Sequence, residues 1–267
     1  MALKPTKPRP LKLATFNVNS VKARLPNLLA WLKDANPDVV LLQELKCVDE
    51  VFPRLEIEDA GYAAATYGQK TYNGVAILAK SRIEDVERGL PGDPTDVQAR
   101  YIEGTVFDKL RVASIYLPNG NPVGSEKFAY KLAWMDRLKR HIREKLRDGE
   151  IAVWGGDYNV IPTDDDVWDP RAMAADALMQ PESRAKFRAI LHLGLTDAVR
   201  AFHHQPHLYS YWDYQAGAWQ KDHGMRIDHL LCSPQAADRL VAAGIDKAPR
   251  AQDKASDHTP VWCEIAL

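Results

Sequence analysis

Cysteine is scarce in this chain: Cys47, Cys232 and Cys263 are the only three in 267 residues, widely separated and in no paired spacing. That excludes a disulfide framework and a cysteine-built zinc motif, and makes a reducing cytoplasm the expected compartment. No apolar run approaches the ~20 residues that a membrane-spanning helix needs. An excess of one charge is missing as well. The 35 Lys and Arg face 36 Asp and Glu, for a net charge of −1, so global charge gives no pointer to nucleic acid. Internal repeats, low-complexity tracts and linkers between unlike compositions are all lacking. The opening MALKPTKPRP is basic and proline-rich without the apolar core of a signal peptide. The expectation is a disordered lead-in over 1–10 and a single domain over 11–267.

What is present is enough apolar sequence, 46%, to bury a sizeable core. Strand-like runs stand at Leu11–Val18, Val39–Leu42, Gly74–Ala79, Tyr101–Phe107, Val112–Leu117, Ile151–Gly155, Arg226–Leu231 and Pro260–Ala266. Helical spacing fits Ala23–Ala35, Ser125–Arg147, Pro181–Leu193 and Pro234–Ala243. Strand and helix do not alternate throughout, as a doubly wound fold requires. The strand-rich middle instead predicts an α/β architecture of two packed mixed β-sheets with helices outside. Lys131–Arg147 carries seven Lys and Arg on an amphipathic helix, whose charged side reads as a solvated face.

Polar residues gather at the ends of these strands. LKLATF exits into Asn17 and Asn19, VVLL into Gln43 and Glu44, VASIYLP carries Tyr116, and IAVWGG exits into Asp157 and Asn159. Asp228 sits inside the apolar RIDHLL, and Asp257–His258 opens the last strand in SDHTPVW. Each of these alone also reads as a turn or cap. Asp228 resists that reading, because a carboxylate among Ile227, Leu230 and Leu231 is costly to bury without a partner, and His258 is the candidate. Glu44, Asp157 and Asp257 with Asn17 and Asn159 make an oxygen-rich, thiol-free set suited to a hard cation, Mg²⁺ or Mn²⁺. Such a cation works on phosphate, and the remaining tasks of proton transfer and oxygen stabilisation fall to Asp157, Tyr116, His258 and Asn159. His203, His204 and His207 in HHQPH lack the spacing and companions of a zinc site and read as a surface loop.

LATFNVNSVKAR, PDVVLLQELK, NGVAILAK, GDYNVIPTDDD, RIDHLL and SDHTPVW, in this order, resemble the exonuclease III family of abasic-site endonucleases. That family lies within the endonuclease/exonuclease/phosphatase superfamily, and the resemblance runs from about residue 11 to the last strand. It implies a DNase I-like four-layer α/β sandwich. It further implies Glu44 as the main metal ligand, aided by Asn17 and Asp257, with Asp157 activating water and Asn159 stabilising the transition state. Tyr116 would sit against the scissile phosphate, and His258, oriented by Asp228, would contact it. Asn19 stands where some relatives carry aspartate. PGDPTDVQAR, YLPNG and LGLTDAVR…YSYWDY are similar to the DNA-repair branch, placing Arg100, Asn119 and Lys127 at DNA phosphates. Trp219 and Met225 then become candidate wedges into DNA, and Trp212 a candidate wall for an abasic sugar. The implied partner is double-stranded DNA with abasic sites or blocked 3′ ends, cut by a monomer that involves no membrane. The alternatives are a superfamily phosphatase acting on inositol phosphates or phospholipid headgroups, and a DNA-binding module without catalysis.

Overall fold

The computed structural model describes residues 9–267. Twelve strands run in chain order: β1 (Leu11–Asn17), β2 (Val39–Gln43), β3 (Ala63–Tyr67), β4 (Val75–Ala79), β5 (Ile83–Arg88), β6 (Tyr101–Val106), β7 (Leu110–Tyr116), β8 (Ile151–Asp157), β9 (Thr196–Asp197), β10 (Asp228–Cys232), β11 (Leu240–Ile245) and β12 (Val261–Ile265). The helices are α1 (Leu25–Ala35), α2 (Arg54–Asp59), α3 (Glu126–Lys145), α4 (Pro181–Leu191), α5 (Ala198–Phe202) and α6 (Pro234–Ala237). The strands form two six-stranded sheets, ordered β11-β12-β1-β2-β4-β3 and β5-β6-β7-β8-β10-β9. Only β1–β2 and β7–β8 pair in parallel, so both sheets are mixed, as the strand-rich middle predicts.

Side chains alternate across each strand and so feed two different layers. On β2, Val39 and Leu41 enter the core between the sheets with Leu13, Ile77, Val112, Val153 and Leu230. Its Val40 and Leu42 face outward to Leu28, Trp31 and Leu32 of α1 and Ile57 of α2. The other sheet is covered by Trp134, Leu138 and Ile142 of α3 and by Phe187 and Ile190 of α4. The result is four layers, helix–sheet–sheet–helix. A strand buried on both faces needs no polar alternation, which is why VVLL and VASI read as continuous apolar runs. The glycine pair of β8 permits the close approach of its neighbours. A Cβ on Gly155 would lie 2.6 Å from side-chain atoms of Leu41 and Leu230, and one on Gly156 2.0 Å from the Ile115 carbonyl oxygen. No helix among the described residues is long and apolar enough to cross a membrane.

The fold corrects several expectations. Of the lead-in over 1–10, residues 1–8 lie outside the described residues. Arg9 is tied down, its guanidinium forked onto the Asp38 carboxylate at 2.5 and 2.8 Å. Pro234–Ala243 is helical only as far as Ala237. From Leu240 the chain pairs antiparallel with β12, where edge hydrogen bonds outweigh the helix propensity of its alanines. Strands β3, β5 and β9 and the short α2 and α5 escape the periodicity reading. β5 has no buried residue, so its sequence carries no apolar stripe. The charged face of α3 is not all solvated, since Lys131 is 0% exposed, Arg137 8% and His141 5%.

Candidate active site

Strand direction alone gathers the polar residues. β1, β2, β7 and β8 end at one edge of the sandwich, delivering Asn17, Glu44, Tyr116 and Asp157. β10 is antiparallel to β8 and begins where β8 ends, with Asp228 opposite Asp157 in register. β12 is antiparallel to β1, so Asp257 and His258, just before it, reach the same edge. Asn19, Glu44 and Asn159 all adopt left-handed backbone (φ 44°, 51° and 46°), a conformation that non-glycine residues hold where surrounding contacts impose it.

Asn17 is the hub. Its Nδ2 donates to Glu44 Oε1 at 2.8 Å and to Asp157 Oδ2 at 3.0 Å, while its oxygen accepts from the Asn19 amide at 3.0 Å. The nitrogen end of the Asn17 amide faces the carboxylates and holds them together as a donor. Asp157 also accepts from the Asn159 amide at 2.9 Å. His258 Nδ1 lies 2.9 Å from Asp228 Oδ2, and its Nε2 lies 3.7 Å from Asp157 Oδ2. The Ser210 hydroxyl donates to Asp228 at 2.6 Å, so the partner that Asp228 demanded is supplied twice. Asn159 spends its amide on the Leu117 carbonyl at 2.9 Å and accepts from Asn119 at 3.1 Å. Asp257 stands slightly apart, its Oδ1 accepting from Asn19 at 3.0 Å.

These contacts set the protonation states. Burial pushes the Asp157 carboxyl up; His258 opposes this, while Asp228 and Glu44 reinforce it, and the net shift is upward. For His258 burial favours the neutral ring, but the Asp228 and Asp157 carboxylates outweigh it and the imidazolium persists above its ordinary range. Burial also raises Glu44, but Asn17 and Lys46, whose ammonium lies 2.9 Å from Oε2, leave it below the usual carboxylate value. Tyr116 is driven well above its ordinary value by burial, then by Glu44 and Asp157, so it is a neutral phenol able to donate.

Glu44, Asp157 and His258 bring one donor atom each to within 4.8 Å of one another. Two carboxylates gripped by one amide, one of them raised by burial and then by its neighbours' negative charge, are the surroundings a hard cation relieves. The residues therefore fit a divalent metal, which Glu44 and Asp157 would hold through their carboxylate oxygens.

The site opens into a cavity of about 580 Å³. Trp168, Tyr211, Met225 and Ile227 form its apolar wall. Trp168 and His223 stack nearly parallel at 3.8 Å and 5°, and the Tyr211 ring meets His258 edge-on at 4.9 Å. Of the residues expected to touch DNA, Asn119 and Met225 line this cavity. Arg100 flanks Tyr116, its guanidinium 4.8 Å over the ring. Lys127 is exposed on the first turn of α3, outside the cavity. Trp212, expected as a sugar wall, is 0% exposed, donates to Asp222 at 2.9 Å and lies outside the cavity. Trp219 packs edge-on against Trp212 at 4.9 Å and is also absent from the lining, because the indole pair closes its own loop. In HHQPH, the His203 Nε2 donates to the Ala243 carbonyl at 2.7 Å and the His207 ring pairs with the Tyr209 hydroxyl, so these two rings turn to different partners.

Sequence reading passed over Lys46, Ser210, Tyr211, Trp168 and Lys131. Tyr211 alone was within reach, as the middle aromatic of YSYWDY. Lys131 Nζ donates to the Asn119 carbonyl at 2.9 Å and to the Asn159 carbonyl, clamping the two loops that carry both asparagines. Lys131→Met is expected to lower stability by about 1–3 kcal/mol, read by thermal melting, because two buried carbonyls lose their donor.

Fold and site together define a class: hydrolases of phosphate esters built on a two-sheet sandwich, with a cation-binding carboxylate–imidazole centre at one edge. The chain belongs to the Endonuclease/Exonuclease/phosphatase family, whose profile matches residues 14–258, and within it to the exonuclease III group. It is 33% identical over 269 residues to exodeoxyribonuclease III of Haemophilus influenzae, covering 96% of this chain and 100% of that protein. Among solved structures, an AP endonuclease from Archaeoglobus fulgidus superposes with a TM-score of 0.92 at 36% identity. A 3′-5′ exonuclease from Neisseria meningitidis does so with 0.93 at 38%, and each comparison covers 96% of this chain and 100% of the other.

Proposed function

We propose that this protein is a DNA-repair phosphodiesterase that uses Mg²⁺ or Mn²⁺ to cut 5′ to abasic sites, leaving a 3′-hydroxyl, and that also trims blocked 3′ ends. Its substrate is double-stranded DNA, and it acts as a cytoplasmic monomer. The observation that carries this reading is the convergence of Glu44, Asp157 and His258 in a cavity that is also lined by the aromatic and apolar Trp168, Tyr211, Met225 and Ile227. A deoxyribose lacking its base presents such an apolar face beside a phosphate. The relatives named for AP endonuclease and for 3′-5′ exonuclease activity support both reactions in one site.

The chain's own groups divide the work. Asp157, raised toward neutrality, accepts the proton of the attacking water, which a fully acidic carboxylate does poorly. The His258 imidazolium, fixed by Asp228, donates from Nε2 to a non-bridging phosphate oxygen. Tyr116 hydrogen-bonds the same phosphate through its phenol O–H, and Asn119 with Asn159 borders it; as water's oxygen bonds to phosphorus the P–O3′ bond breaks, and the departing 3′-oxygen takes a proton from solvent to become the 3′-hydroxyl. The chemistry a hard cation supplies beside Glu44 is neutralisation of charge on the phosphate.

The test is gel-resolved cleavage of a labelled duplex carrying one abasic-site analogue, beside a duplex with a recessed 3′ end and a phosphorylated inositol. The expected result is a single nick 5′ to the lesion in Mg²⁺, shortening of the 3′ end, and no product in EDTA. Turnover of the inositol alone would overturn the DNA reading and leave the phosphoesterase.

A further inference from the structure

Lys131 is 0% exposed, yet none of the hydrolytic steps uses it. Unlike the buried Arg111, Arg137 and Arg226, it has no carboxylate within 4.0 Å among the described residues. Enclosing an amine in this way is costly, and the cost is offset only by groups that accept its N–H bonds. Those groups are two backbone carbonyls: Nζ donates to Asn119 at 2.9 Å and to Asn159 at 2.5 Å. The chain is shaped to admit the lysine. Gly120 holds φ at 89°, and a Cβ there would stand 2.6 Å from Lys131 Cδ, so the YLPNG loop lies directly on the lysine stem.

Both asparagines line the catalytic cavity, and the clamp completes a pattern in their hydrogen bonds. Asn159 Oδ1 accepts from Asn119 Nδ2 at 3.1 Å. Asn119 Oδ1 accepts from the Asn121 backbone amide at 3.1 Å and from its Nδ2 at 2.9 Å. With both backbone carbonyls taken by Lys131, all four oxygens of the pair are occupied. The nitrogens are not. Asn119 Nδ2 spends one N–H on Asn159 and Asn159 Nδ2 spends one on the Leu117 carbonyl at 2.9 Å, so each amide keeps a second N–H free. A pair whose acceptors are spent and whose donors are not is matched to a phosphate, which offers only acceptors. Without the lysine, two carbonyls with open lone pairs would border the phosphate and turn like partial charge toward its oxygens. Asn159 would also lose a contact that holds its left-handed backbone.

We propose that Lys131 is a positioning residue of the reaction: it caps the Asn119 and Asn159 carbonyls so that the two side-chain amides meet the phosphate as a donor-only pair. This rests on the phosphoester reading given above and not on which DNA lesion is cut.

The experiment is single-turnover cleavage at rising enzyme concentration, which separates binding from chemistry. The substrate is the abasic duplex, or the phosphorylated inositol if that is what the wild type turns over. Wild type, Lys131→Met, Asn159→Ala and the double variant are compared, each well below its own melting temperature. Lys131→Met is expected to react about 10²-fold more slowly at saturation, the loss that follows removal of one oxyanion donor, with affinity within about threefold of the wild type. Because Lys131 acts through the pair, adding Lys131→Met to Asn159→Ala should cost less than about threefold more. A purely structural role would make the two losses multiply. Multiplied losses, or a Lys131→Met rate within about threefold of the wild type, would overturn the proposal and leave the phosphoester reading intact. If the methionine variant does not fold, Lys131→Gln, which keeps a donor on a shorter stem, carries the same cycle. A wild type that cleaves neither substrate would overturn the phosphoester reading itself.

Discussion

Asp157→Asn is expected to lower the single-turnover rate of cleavage by about 10⁴, while the metal-free protein melts at a higher temperature than the wild type. Both effects have one source. Asp157 is 2% exposed, shares the Asn17 amide with Glu44 and faces Asp228 across the β8–β10 register. Burial and these like charges lift its carboxyl, and the same lift makes it a competent base. Asparagine keeps the shape and can still accept from the Asn17 and Asn159 amides, but it cannot take a proton and offers a cation a weaker donor. The repulsion with Glu44 goes with the charge, so the fold gains what the reaction loses. Single-turnover cleavage in Mg²⁺ and calorimetry in EDTA measure the two halves separately. A rate within tenfold of wild type would remove Asp157 from the reaction. A lower melting temperature would mean that His258 already neutralises it.

The same strand-end logic explains why much of the site was legible in the sequence. A strand buried on both faces has no use for a polar residue, so Glu44 after VVLL and Asp157 after IAVWGG stand out against apolar runs. Asp228 was legible for an energetic reason. A carboxylate inside RIDHLL must find a donor, and the structure supplies His258 and Ser210. What stayed hidden is set by tertiary contact rather than by period. Trp168 and His223 come from irregular segments about fifty residues apart, and nothing local in either predicts that their rings stack. Trp212 beside Tyr211 shows the same limit: adjacent aromatics point to opposite sides of one segment, and only the fold decides which lines the cavity. Lys131 was hidden by its neighbours, because six further cations on the same helix make a solvated face the natural reading. β11 was lost to alanine, a helix former that an open sheet edge conscripts as strand.

Arg226→Met is expected to destabilise the protein by about 3–5 kcal/mol, or roughly 10 °C in melting temperature, although Arg226 touches no part of the cavity. Its guanidinium is 1% exposed and donates to Asp166 at 2.7 Å and to Asp197 at 2.6 Å, and its backbone amide donates to the Asp166 carbonyl at 2.9 Å. Burial works against the Asp166 carboxylate, but Arg226 and Arg200 outweigh it and hold it at about 2; Asp197 is held lower still by Arg226 and His229. Methionine matches the volume and leaves two buried carboxylates short of their principal cation. The sign of the pH dependence follows. Both acids have folded values below the ~3.9 of an unfolded aspartate, so their pairing stabilises fully above that value and is lost as pH falls through the folded one. The gap between wild type and variant should therefore be widest at neutral pH and narrow from about pH 4 toward pH 2. Urea denaturation at pH 7 and near pH 3 measures it, and a gap that does not narrow would show that packing, not charge, carries the effect. The consequence reaches the reaction through the chain itself. Arg226 lies between Met225 and Ile227 of the cavity wall and two residues before Asp228, the first residue of β10, so loosening it frees the strand that aims His258. Activity in the variant should fall with temperature well before the wild type's does.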